Sequence, residues 1–168
     1  MSMQAEELQA RSGHLCAVCL ETAQQCAEQL SGVLPASLGR SESELRRLML
    51  RELGLLFRHW ATREIWQRLD ADQASATALN QAVLRRFVEA FKLPRDGSGL
   101  RYSSLGSIGE EARELSTRLT FVLGVEHQPL MRQLQAGIMA WREAVLRAVE
   151  QTLTLSREQL ASPHRPQS

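Results

Sequence analysis

Along this chain of 168 residues the apolar side chains recur at i, i+3, i+4 and i+7, and no stretch alternates them at the period of a strand. Such a pattern confines the chain to helices that bury one face against each other, because a stripe of 3.6-residue period splits across both faces of a sheet. The expected fold is therefore all-α: a bundle of about five helices, mostly antiparallel to their neighbours, with a long first and a long last helix. One helical-bundle domain over residues 1–161 and a flexible C-terminal tail over residues 162–168 complete the expected organisation.

Local chemistry sets the boundaries. A first helix is read over residues 3–34, with Pro35 as its stop. Ser41, followed three residues later by Glu44, matches a capping box at the start of a second helix that reaches residue 69. The Asp70-Ala71-Asp72 break leads into a third helix, which carries Leu79, Val83, Phe87 and Phe91 and ends before Pro94. Residues 94–107 form the one long loop, where Tyr102, Arg95 and Arg101 are the side chains best suited to contact a partner. Ser107 and Glu110 cap a fourth helix with the stripe Ile108, Ala112, Leu115, Leu119 and Val122, and Gly124 stands where a C-terminal glycine cap belongs. Pro129 suits the first turn of a fifth helix expected to continue to residue 160.

Charge excludes some functions and localises others. The formal net charge is +1, so no global field draws the chain onto nucleic acid or an anionic membrane. Residues 1–34 hold four Glu against one Arg, whereas residues 40–101 hold twelve Arg or Lys against eight Asp or Glu. No run approaches the roughly 18 uninterrupted apolar residues of a membrane span, so no membrane association is expected. The opening residues are acidic and lack the basic and apolar regions of a signal peptide. Three cysteines, an odd number, without an export signal point to the reducing cytoplasm.

His14, Cys16, Cys19 and Cys26 resemble a metal set only while the chain is read as a line. On a helix, Cys19 and Cys26 share the apolar stripe with Leu8, Leu15 and Val33, and His14 falls on the polar face with Glu21 and Glu28. Cys26 lies about 10 Å along the axis from Cys19, far beyond the ~2.3 Å reach of sulfur to a shared zinc ion. The cysteines read as small core residues, and neither metal nor other cofactor is expected.

The second helix is the most informative. Leu45, Leu48, Met49, Leu53, Leu56 and Trp60 cover one broad face, Leu50 and Phe57 extend it, and only Arg47, Arg51 and Arg58 keep a polar strip. A helix apolar nearly all round belongs at the centre of a bundle. Glu52, His59 and Arg63 interrupt its apolar face, and a buried charge demands a partner. Those three, with Trp60 and Trp66, are a candidate pocket for an anionic ligand.

On the fifth helix, Met139, Leu146 and Leu153 form a second ridge at seven-residue spacing beside the inward stripe of Leu130, Leu134, Ile138, Trp141, Val145 and Val149. Such a ridge either widens the core or makes a partner-facing seam. Nothing in the chain has the spacing of a di-metal bundle, and the glycines at 97, 99, 106 and 109 follow no strand that could make a phosphate loop. The leading expectation is a non-enzymatic interaction, adaptor or regulatory protein that pairs with itself, as a homodimer, through the first and fifth helices, or with another protein, with the Met139, Leu146 and Leu153 ridge as its apolar anchor. The alternative is a small helical subunit that grips an RNA or DNA phosphate backbone through Arg46, Arg47, Arg51, Arg58, Arg85, Arg86 and Arg95.

Overall fold

The computed structural model describes residues 3–34, 39–95 and 102–161. Its elements are α1 (Ala5–Ser31), α2 (Glu42–Arg68), α3 (Gln73–Ala90), α4 (Ile108–Leu123), α5 (His127–Thr154) and a short α6 (Arg157–Ala161). No strand occurs among the described residues, and the chain is an all-α bundle of five substantial helices. The expected tail, Pro35 and residues 96–101 of the expected long loop, Arg101 among them, lie outside the described residues. No helix there is long and apolar enough to cross a membrane.

Helix α2 is the axis of the bundle, packing against α1, α3, α4 and α5. Six consecutive residues, from Glu52 to Phe57, are buried, which only a helix with neighbours on every side achieves. Antiparallel order holds for the pairs α2/α3 and α2/α4. Gly54 meets Phe91 while Arg58 meets Val88. The Arg40 side chain reaches the Val122 carbonyl and Trp60 reaches Glu111. Two other pairs run parallel: α1 with α3, through Met3–Ser75 and Ser12–Arg86, and α2 with α5, where Arg68 lies near Glu150.

Close approach of α2 and α3 depends on Gly54, because a Cβ there would lie 2.5 Å from Cγ of Phe91. Three helix starts follow from side-chain caps. Ser41 and Asp72 accept from the N–H groups of Glu44 and Ser75, and Ser107 with Glu110 forms a full capping box. Gly124 adopts φ 67° and ends α4 in the left-handed cap that its position predicts.

Two boundaries differ from expectation. Helix α1 ends at Ser31, capped at Gly32, rather than running to Pro35. Helix α5 stops at Thr154 and does not continue to residue 160. The Ser156 hydroxyl accepts from the Gln159 N–H while the Gln159 side chain accepts from the Ser156 N–H, a reciprocal cap that starts α6 as a new helix.

The three cysteines are buried in the core, as expected of small apolar residues. Burial pushes the Cys16 thiol up to about 11 and the Cys26 thiol up to about 12, and raises that of Cys19 too. His14 corrects the reading. Because α1 is covered by both α3 and α5, His14 and Glu21 of the face expected to be wet are half-buried while Glu28 stays exposed, and His14 Nδ1 lies 3.0 Å from the Thr152 hydroxyl. Beside it, buried Arg11 bonds Glu7 at 2.9 Å and donates to the carbonyls of Thr152 and Leu155, satisfying the open end of α5.

Candidate functional site

Both flanks of α2 near its middle carry polar side chains, and neighbouring residues open onto different surfaces. On one flank His59, Thr62, Arg63, Trp66, Gln67 and Asp70 line a groove closed on its far side by Ser103 and Leu105. On the other flank Arg58 faces Leu84, Arg85, Val88 and Glu89 of α3, with Pro94 and Arg95 beyond.

Behind His59 lies a buried residue of α4. Glu111 is 4 % exposed, and its Oε2 accepts the Trp60 indole N–H at 2.5 Å. Its Oε1 lies 3.7 Å from His59 Nε2, an ion-pair contact longer than a hydrogen bond. Burial alone would raise the Glu111 carboxyl. Its contacts with His59 and Trp60, with the charges of His59 and Arg142, outweigh that and bring it below its ordinary value of 4.5. Tyr102 is buried beside His59, its ring centroid 6.2 Å from that of His59.

This arrangement revises the pocket expected on α2. His59, Arg63 and Trp66 do line one groove. Trp60 is buried behind it, stacked on Phe57 and bonded to Glu111. Glu52 is buried among the core residues of α2 and does not line the groove. Helical spacing put Glu52 on the same face, but two turns of helix carry it to a level where the neighbours are different. Tyr102, expected as a contact residue of the loop, is fully buried. Glu111 is the residue that sequence reasoning missed. It stands three residues after Ile108 and four before Leu115, on the inward stripe, where an acidic residue reads as a simple N-terminal charge.

A crevice lined by Trp60, Arg63, Glu64, Gln67, Glu111, Arg142 and Leu146 separates α2 from α5. Arg63 and Gln67 line both this crevice and the groove, so the two share one continuous surface. The expected ridge on α5 divides along it. Met139 is 60 % exposed, Leu146 is half-buried beside the crevice, and Leu153 packs against the core.

The seven arginines expected to track a phosphate backbone also divide. Arg46 pairs with Glu28 at 2.8 Å, and Arg86 donates to Ser12 and Gln9 of α1. Arg47 and Arg51 are exposed. Arg58, Arg85 and Arg95 converge on the second cleft, where burial lowers the Arg58 pKa from its ordinary value without removing its charge.

Among the described residues no group of three or more His, Cys, Asp or Glu side chains converges in a way that could hold a metal ion. Chemically, the groove offers one imidazole held near a carboxylate, while the cleft offers clustered guanidinium groups. Comparison of the chain with family models, with curated proteins and with solved structures finds no match.

Proposed function

We propose that this chain is a non-enzymatic interaction protein that pairs with a second copy of itself through the surface shared by α2 and α5. The observation that carries this reading is the continuity of the groove and the crevice through Arg63 and Gln67. It joins Trp66, 40 % exposed, to Leu146 and to the line of Met139 one turn beyond Arg142. Trp, Met and Arg are the side chains that interfaces concentrate, since each presents a large contact area at an otherwise polar surface.

Self-pairing suits the charge pattern of this face. A two-fold interface apposes a patch to itself, so it needs both signs in the same patch. Arg63 and Arg142 supply the positive groups, and Glu64 and Asp70 the negative ones. The anchor of the interface is then Met139 with Leu146 and Trp66, while Leu153 serves the core.

Light scattering during size-exclusion chromatography, across a range of loading concentrations, tests the proposal. The expected mass is twice the 18.9 kDa of the chain. Met139→Glu and Trp66→Ala, both at exposed positions, should return it to the single-chain mass with an unchanged helical circular-dichroism spectrum. A wild-type chain that stays at the single mass at every concentration defeats the homodimer.

A further inference from the structure

On the flank of α2 opposite the groove, we infer that Arg58, Arg85 and Arg95 form a binding site for a small phosphate monoester whose apolar or planar portion rests on Leu84, Val88 and Pro94. The site stands apart from the α2–α5 surface, and neither reading rests on the other.

Its geometry begins with the end of α3. Phe91 caps the helix, and Lys92 then adopts φ 54°, a left-handed conformation that few residues other than glycine enter. The Leu93 N–H returns 3.2 Å to the Val88 carbonyl, the long bond of a Schellman turn, and Leu93 is buried. That turn directs Pro94 and Arg95 back along α3, so that Arg95 joins Arg58 and Arg85 around one cleft. A lysine held in a glycine conformation thus brings the third guanidinium to the other two.

Charge and solvation then define the ligand. Three guanidinium groups and one carboxylate, Glu89, line the cleft, so three positive charges less one negative leave +2. A phosphate monoester carries about −1.5 to −2 at neutral pH and has three oxygens that match the planar fork of arginine. Arg58 is half-buried, and no carboxylate lies within ion-pair distance of it among the described residues. An anion at this place offsets a desolvation that no carboxylate among the described residues compensates. The other walls, Leu84, Val88 and Pro94, are apolar and give the organic part of the ligand a surface to cover. A compact cleft of this kind also fits the division of the arginines better than an extended backbone track, since Arg46 and Arg86 are already engaged within the bundle.

Isothermal titration of the full chain at ~50 mM salt, with adenosine 5′-monophosphate, adenosine and inorganic phosphate as separate probes, tests the inference. Adenosine 5′-monophosphate should bind, inorganic phosphate more weakly, and adenosine not at all. Arg58→Met, and separately Arg95→Gln, should weaken the monophosphate by about tenfold or more, the scale of one charge-assisted contact. Arg47→Gln, outside the cleft, should leave it unchanged. Adenosine binding as well as its monophosphate, no probe binding at millimolar concentration, or indifference to Arg58→Met would each overturn the site. A single-stranded oligonucleotide without a terminal phosphate that binds wild type and Arg58→Met equally, while the monophosphate does not bind, would replace it with a distributed backbone contact. The Met139→Glu variant should bind the monophosphate like wild type, which separates failure of this site from failure of the homodimer.

Discussion

Arg58 and His59 are adjacent in the chain, yet they open onto opposite flanks of α2 and meet contrasting environments. His59 faces an internal carboxylate, Glu111, which Trp60 also engages from within the core. Arg58 faces two further arginines across apolar walls, with Glu89 the one carboxylate lining the cleft among the described residues. In the first cluster the fold answers the carboxylate with the Trp60 N–H and sets His59 Nε2 at 3.7 Å from it. The second carries an excess of positive charge among the described residues that line it. A polar group matched internally serves stability and specificity of packing, whereas a half-buried charge left without an internal partner is better placed to meet a ligand.

That contrast makes stability and binding separable. Glu111→Ala should have the largest effect, about 3 kcal/mol in urea unfolding, because it strands the buried Trp60 N–H and removes the charge facing His59. A loss below about 0.5 kcal/mol would show that the cluster is not the anchor of the α2–α4 contact. Trp60→Phe should cost about 2 kcal/mol, since it keeps the aromatic packing but takes a donor from a buried carboxylate.

Acid should act through the same carboxylate. Because its folded pKa lies below the unfolded value, ionised Glu111 contributes stability that is present above the unfolded value and is lost as pH falls through the folded one. The stability difference between wild type and Glu111→Gln should therefore shrink on acidification below 4.5. A difference that stays constant across that range would assign the bonding to something other than the ionised carboxylate. The smallest effect belongs to the other flank. Arg58→Met should change stability by no more than about 0.5 kcal/mol, because the long apolar stem is retained and an unmatched charge is removed. A large destabilisation there would erase the distinction between the two flanks.

Much of the fold could be read before the structure. The period of the apolar residues identified five helices and the central place of α2, and Ser107, Glu110 and Gly124 marked the ends of α4. The cysteines fell in the core because Cys19 and Cys26 share a line with Leu15. The site was legible only in part. His59, Arg63 and Trp66 were found because polar residues on an apolar face call for explanation. Glu111 was not, because an acidic residue in the first turn of a helix already has a local one. The break at Ser156 was overlooked for a similar reason: the apolar period runs through it, and only the reciprocal bonds with Gln159 show that a new helix begins.

Local side-chain chemistry was enough to place the five long helices and the apolar face of each, because both depend on side chains within a few positions of one another. Tertiary structure alone decided that Trp60 meets Glu111, that Arg86 bonds to α1 while Arg58 turns to Arg85 and Arg95, and that Tyr102 is buried beside His59. These outcomes depend on which helix covers which face, and on a turn at Lys92 in a conformation its residue type does not announce. Periodicity states that a face must be covered, and only packing decides what covers it.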